Sequence, residues 1–423
     1  MLATLRHRNF ALLWIAGLIS FVGDWALFIA LPVYVYDLTG STLATGTMFV
    51  AQSLPRLLLG SIAGVFVDRW DRRRTMIAAN LLCAAALLLL LPVRSAADLW
   101  LVYLAAFLQT TIALFFQPAE SALLPRLVGE EQLLTANALS ALSWELTRLV
   151  APPLGGLIMG LYGIGSVVAL DCLSFLVSAG TIALIALPKG AAGPRAIQPS
   201  RGVWRTLARD LAEGLRLVRG SRLIAAIFAI TATAMVAEGI VNVLGFPWLK
   251  QVLHGGALER GWLASAQAIG GLAGGLLIGR VSRVVRPVHL IGASGVVLGL
   301  LSLASVNMAT FPIVPSLALP AVLSLRVLQG VPIVGMFVSI DTLLQQQVAD
   351  RYRGRVFGAY GATSALAIVV GQSLAGALGD RAGVVPVLDA VGALYLAAGV
   401  FALLLLRGQS FAWPAPLAKP AGP

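Results

Sequence analysis

Apolar stretches of about 20 residues recur along the chain from Phe10 to Leu406, separated by short polar or glycine-rich connections. At 1.5 Å per helical residue, about 20 residues is the length needed to cross roughly 30 Å of hydrocarbon. The pattern predicts twelve spans, near residues 10–36, 43–67, 74–93, 99–124, 134–160, 165–187, 222–248, 260–280, 287–307, 315–345, 355–379 and 384–406. The fold class is therefore all-α integral membrane. The first apolar stretch is long and lacks a small-residue cleavage site, so it reads as a retained helix rather than a leader.

Composition sharpens this picture. Of the 423 residues, 59% are hydrophobic and only 11% charged, too little polar surface to clothe a soluble globule of this size. The net charge of +12 would suggest nucleic acid in a soluble protein, but here the basic residues fall in short connections and no nucleic-acid partner is expected. With the N-terminus inside, 23 Lys and Arg lie on the cytoplasmic side and four (Arg94, Lys250, Arg260 and Arg381) on the other, while Arg56, Arg148 and Arg326 fall within spans. The positive-inside rule then places both termini in the cytoplasm of a cell with a bacterial-type inner membrane. Cys83 and Cys172 both sit in apolar segments and the three histidines are isolated, so neither a metal site nor a membrane enzyme is supported.

One connection is long. Residues 189–221, rich in Gly, Pro and Arg, separate an N-terminal six-span set (1–188) from a C-terminal one (222–407), with a cytoplasmic tail at 408–423. Within that connection Val203, Trp204, Leu207, Leu211, Leu215 and Val218 share one helical stripe, predicting an interfacial helix. The two sets repeat. Asp24, Pro32 and Gly40 correspond to Glu238, Pro247 and Gly255, Asp171 to Asp389, and Ser121–Gly155 to Thr342–Gly376. Two related six-helix bundles with a substrate site between them near the bilayer midplane is the expected architecture.

The loop after the second span reads Gly60-Ser-Ile-Ala-Gly64-Val-Phe-Val-Asp68-Arg69-Trp70-Asp71-Arg72-Arg73-Arg74. It resembles the glycine, aspartate and basic-cluster signature of the major facilitator superfamily. Asp71, in place of the usual glycine, is similar to the branch of enterobactin exporters and macrolide efflux proteins, as are Leu31-Pro32 with Asp37-Leu-Thr-Gly-Ser41, Ala136-Asn-Ala138 and Arg353-Gly-Arg355-Val-Phe357. The resemblance covers nearly the whole chain. It implies a monomer and a latch at the cytoplasmic mouth built from Gly64, Asp68, Arg69, Arg72 and Arg73, with Asp68 meeting the start of the eleventh span near Arg355. Asp341, towards the cytoplasmic end of the tenth span, is a further gate residue. Ala151-Pro152-Pro153-Leu-Gly155-Gly156 in the fifth span is similar to the element associated with proton antiporters, with alanine for its first glycine. Arg326-Val-Leu-Gln329-Gly330 in the tenth span resembles an arginine and Gln-Gly element that the superfamily usually carries in its fourth helix.

Charged side chains inside spans are the remaining candidates. An ionised carboxylate in hydrocarbon costs at least about 2.5 kcal/mol, so it needs a partner, water or a proton. Asp24 and Glu238 are the first candidates for proton coupling or substrate binding, with Glu145, Arg148 and Arg326 beside them. Glu145 and Arg148, three apart on one helix, are placed to pair. Asp171 and Asp389 read as structural groups near outer span ends. Trp25, Phe28, Phe115, Phe116, Trp144 and Phe246 are candidates to line an amphiphile-binding cavity.

These features predict a secondary active exporter of a small lipophilic or amphiphilic molecule, apolar or cationic, working by proton-coupled alternating access. No nucleotide-cradling glycine loop is present, so a proton gradient rather than a cofactor supplies the energy. Substrate and membrane lipid are the expected partners. A facilitator or flippase for a lipid-like molecule, and a non-transporting sensor or scaffold, use the same features and remain open at this stage.

Overall fold

The computed structural model describes residues 4–67, 70–186, 203–282, 284–308 and 315–405. Among these, thirteen α-helices account for nearly all of the chain: α1 (Arg8–Thr39), α2 (Thr42–Val67), α3 (Arg72–Leu87), α4 (Leu99–Val128), α5 (Glu130–Tyr162), α6 (Ile164–Ala183), α7 (Val203–Gly220), α8 (Arg222–Val252), α9 (Ala257–Val281), α10 (Pro287–Val306), α11 (Pro315–Gln347), α12 (Asp350–Ala382) and α13 (Val384–Leu405). The helix ends follow the local sequence. Asp71 caps α3 by accepting from the Arg74 amide at 2.8 Å, Ser221 caps α8, and Gly40 closes α1 in the left-handed region at φ 64°.

Among the described residues, ten helices are long and apolar enough to cross a membrane. Helices α2, α5 and α7 stand outside that group. Helix α5 has ample length, 33 residues, but carries Glu145, Arg148, Pro152 and Pro153, which a helix can hold where it faces other helices rather than lipid. Helix α7 is shorter, at 18 residues, and markedly two-faced. It docks on α12, where a Cβ at Gly214 would lie 2.6 Å from the Arg355 carbonyl oxygen, and Glu213 pairs with Arg355 at 2.9 Å. Val218 is buried while Leu211 and Leu215 are exposed, so an apolar strip remains on the surface as an interfacial helix requires.

The packing repeats along with the sequence. Helix α1 packs on α5 and α6, α2 on α4, and α3 on α4 and α6. Helix α8 packs in the same way on α12 and α13, α9 on α11, and α10 on α11 and α13. Two larger contacts join the sets, α5 with α9 and α2 with α12, and these correspond to each other under the same repeat. Small residues permit the approach. A Cβ at Gly46 of α2 would lie 2.9 Å from the Gly376 Cα of α12, so the two backbones touch.

Among the described residues, several polar contacts between the sets lie towards one end of the molecule, opposite the basic end that carries Arg72, Arg73 and Arg353. Asp380, near the end of α12, accepts from the Thr42 amide (2.8 Å), the Thr42 hydroxyl (2.8 Å), the Ser41 hydroxyl (2.8 Å) and the Leu43 amide (3.2 Å). It thus caps the N-terminus of a helix from the other set, where the amides and the helix dipole favour a carboxylate. Lys250 pairs with Asp37, and Gln251 donates to the Tyr36 hydroxyl at 2.8 Å. Deeper along the seam, the Ser265 hydroxyl of α9 donates to the Leu149 carbonyl of α5.

Candidate functional site

The proline and glycine element of α5 lies where that helix meets α1 and α9 at once. A Cβ at Gly155 would press on the Ala26 backbone of α1, 2.7 Å from its carbonyl oxygen. One at Gly156 would collide with the Ala257 carbonyl of α9, and the Pro152 carbonyl in turn faces Gly261. Pro152, Gly155 and Gly156 therefore form a three-helix contact towards the end of the seam away from the basic loops. A side chain at Gly156 would press α5 off α9 of the other set, and one at Gly155 would press it off α1 of its own set.

Below this contact the two candidate acids have different surroundings. Asp24, half-buried on α1, accepts from the Gln109 amide of α4 at 3.3 Å. Beside it lies Asp171 of α6, which approaches the α1 backbone so closely that a Cβ at Gly23 would collide with its Oδ1. Asp171 is fully buried, Ser174 donates to its Oδ1 at 3.1 Å, and its Oδ2 has no partner. The two carboxyls lie near enough to interact electrostatically. The sequence reading of Asp171 as a structural group near an outer span end needs correcting. Although it is only eight residues into α6, that helix crosses α1 at Gly23, near the middle of α1. Its repeat partner Asp389 behaves differently and accepts from Asn307 at 2.6 Å.

Glu238, on α8, lies instead among arginines. Arg326 of α11, Arg148 of α5 and Arg260 of α9 all act on its carboxylate electrostatically. Arg326 donates to Gln329, one turn on, at 3.3 Å, and Gln329 donates to Ser305 at 3.2 Å. The sequence counts Arg260 with the basic residues of the sparsely charged side, at the start of a predicted span. It occupies the first turn of α9, and its guanidinium turns back along α8, where a Cβ at Gly245 would lie 3.5 Å from Nη2. Glu145 and Arg148 form no ion pair with each other among the described residues. Arg148 instead acts electrostatically on Glu238 of the other set, and Glu145 stays half-buried on α5.

The aromatic candidates divide. Trp144 of α5 packs edge-on against Phe21 (centroids 5.1 Å apart) and Trp25 (5.8 Å), and Trp25 meets Phe28 at 5.4 Å, all close to the seam. Phe246 is fully buried against Tyr36, while Phe115 packs against Trp70 at the basic end and Phe116 joins a core there, so these three do not join the cluster.

At the basic end, Asp68 and Arg69 lie outside the described residues, as do the surroundings of Gly64. Arg72 donates to the Ala122 carbonyl at 2.9 Å, and Arg73 to the Ile182 and Ala183 carbonyls at the end of α6. These bonds tie α3 to α4 and α6 within one set and satisfy carbonyls at a helix terminus. Asp341 is exposed on α11. Arg355 holds Glu213 of α7, a partner the sequence did not suggest.

Known proteins resemble the chain over nearly its whole length. The model of the transmembrane secretion effector family matches residues 1–412. "Macrolide efflux protein A" of Streptococcus pyogenes is 26% identical over 380 residues, 89% of this chain and 90% of that protein. "Enterobactin exporter EntS" of Shigella boydii serotype 18 is 29% identical over 415 residues, 95% of this chain and 92% of that protein. Among solved structures, a bacterial homologue of the iron transporter ferroportin in an inward-facing state superposes with a TM-score of 0.73 at 15% identity, over 93% of this chain and 98% of that one. The apolar helices, the repeated packing and these matches together lead to one conclusion: the chain belongs to the transmembrane secretion effector family of the major facilitator superfamily, and is a multi-pass membrane transporter rather than an enzyme.

Proposed function

We propose that this protein exports a small amphiphilic molecule across a bacterial cytoplasmic membrane by proton-coupled alternating access. In this reading twelve spans form two six-helix bundles, α1–α6 and α8–α13, linked by α7 on the cytoplasmic face, and both termini are cytoplasmic. Alternating access needs one gate closed while the other is free to open. The observation that carries the reading is the set of cross-set contacts, among the described residues, at the end away from the basic loops, with charged groups embedded in the spans beyond them. Asp380 on Thr42, Lys250 on Asp37 and the Gly156 contact would be the outer gate in its closed state. The relatives that export a macrolide or enterobactin support the outward direction.

Within the cavity below that gate, Asp24 is the proton-carrying group. Asp171 and Gln109 are its neighbours on α6 and α4, so a proton on Asp24 has polar groups to meet within the membrane. Glu238, surrounded by arginines, serves to balance their charge. The protein works as a monomer, with a proton gradient as its energy source and no cofactor.

Transport into everted membrane vesicles tests this. Wild-type protein should accumulate substrate from a panel of amphiphilic fluorophores only when a proton gradient is imposed, and Asp24→Asn should lose that dependence while remaining folded. Movement that ignores the gradient in wild type would replace this reading with a facilitator or flippase.

A further inference from the structure

Three guanidinium groups converge at the seam with one carboxylate among them. Arg260 and Arg326 come from the C-terminal set, as does Glu238, and Arg148 reaches in from the N-terminal set. The four side chains carry a net charge of +2. Each arginine in a membrane interior costs at least about 2.5 kcal/mol on insertion scales, so a surplus of two is expensive unless something offsets it. The protein supplies little compensation. No ion pair within 4 Å joins these residues among those described, and the buried Nε–H groups of Arg260 and Arg326 have no acceptor. Tyr395 of α13 also faces Arg326 and Glu238, but its hydroxyl is directed to the Ala234 carbonyl at 3.5 Å. Buried guanidinium donors left open in this way suit a planar oxyanion, which accepts two parallel N–H bonds from one fork.

A second feature adjoins the first. Trp144 lies one helical turn before Arg148 on the same face of α5, and its ring meets Phe21 and Trp25 of α1. Trp144 remains 44% exposed, so it offers a face to a ligand as well as to its neighbours. Aromatic surface one turn from guanidinium groups whose Nε donors are unsatisfied matches a molecule that has an apolar or aromatic body and an acidic head.

We propose that Arg148, Arg260 and Arg326 bind the anionic head of the transported molecule, with Glu238 limiting the surplus charge and Trp144 contacting its aromatic body. This deepens the exporter reading by assigning a substrate class, an aromatic or amphiphilic anion, in place of the apolar or cationic substrate expected from the sequence. Because Arg148 belongs to one set and the other two arginines to its counterpart, a bound anion would bridge the seam. That is the position from which occupancy can bias the gate.

The test is binding by the full-length protein in lipid nanodiscs, measured by calorimetry with two probes sharing a naphthalene body, 2-naphthoate and a naphthyl quaternary ammonium. The proposal expects naphthoate to bind preferentially and Arg326→Gln to weaken it by about tenfold or more, the loss of one charged hydrogen bond, leaving the ammonium unaffected. Glu238→Gln should tighten naphthoate several-fold, whereas a merely structural Glu238 would weaken both probes together. Arg326→Lys keeps the charge and should recover part of the affinity, which retains a test if Arg326→Gln does not fold. Equal binding of both probes, or naphthoate affinity insensitive to Arg326→Gln and Glu238→Gln, would overturn the assignment. Vesicle transport separates this from the underlying reading: gradient-driven export of cationic or neutral fluorophores without naphthoate binding refutes only the anion site, and naphthoate binding without gradient-driven movement of any probe refutes only the exporter.

Discussion

Asp24 and Glu238 occupy matching positions in the sequence repeat, yet the structure gives them opposite surroundings. Asp24 has a second acid, Asp171, and a single amide donor, Gln109. Glu238 has three arginines. A repeat therefore preserves where a charged group enters the membrane without preserving what it does there. The neighbours that decide the chemistry come from other helices, α6 and α4 in one case and α5, α9 and α11 in the other. A carboxyl beside a second carboxyl and an amide has different partners to exchange with from one set among arginines.

The largest expected effect breaks this asymmetry directly. Asp24→Asn should abolish gradient-driven transport, a loss of about a hundredfold or more if proton entry is obligatory, whereas Glu238→Gln should keep gradient dependence and change which molecules are carried. Vesicle transport with and without a gradient measures both. Next comes the seam that the two regions share. Gly156→Leu inserts a side chain against the Ala257 carbonyl and should disfavour the closed outer gate by about 1–3 kcal/mol. Labelling of a cysteine placed at Leu43 by a membrane-impermeant reagent should then accelerate.

A smaller pair of effects compares two buried or capping acids. Asp380→Asn removes a carboxylate that accepts four hydrogen bonds at the start of α2, and should lower thermal stability by about 1–2 kcal/mol. Asp171→Asn, which loses a charge whose Oδ2 has no partner, should leave stability unchanged or raise it. Matching losses in both variants would contradict the distinction drawn between them. The smallest change is Glu213→Gln. Its ion pairs with Arg209 and Arg355 are partly exposed, so stability should fall by no more than about 1 kcal/mol, visible chiefly as faster proteolysis around α7.

The helices were legible in the sequence because a span announces itself as about 20 apolar residues, and each expected span falls within one of the helices α1–α6 or α8–α13 apart from a few terminal residues. The repeat that relates Asp24 to Glu238 and Gly155 to Gly376 in the sequence reappears in the helix packing. The site was harder to read. Arg260 stands at the very start of a predicted span and counts with the outer basic residues, and only the approach of its guanidinium to Gly245 brings it towards the other arginines. Asp171 looked peripheral because depth was judged along its own helix, while the crossing with α1 at Gly23 sets its environment. Asp380 carried no motif at all; its role as a cap on α2 arises from two helices 338 residues apart in the chain. Position along a span is a property of local sequence, whereas partners across a helix crossing are not.

The most direct test of the central claim, that protonation of Asp24 and not of Glu238 moves the gate, is a distance measurement across the sealed end. Spin labels at the exposed positions Leu43 of α2 and Leu378 of α12, in nanodiscs at acidic and alkaline pH, report that gate without requiring a substrate. The account predicts a pH-dependent distance distribution in wild type, a single distribution at both pH values in Asp24→Asn, and a retained response in Glu238→Gln. A wild-type response in Asp24→Asn, or its loss only in Glu238→Gln, would contradict it.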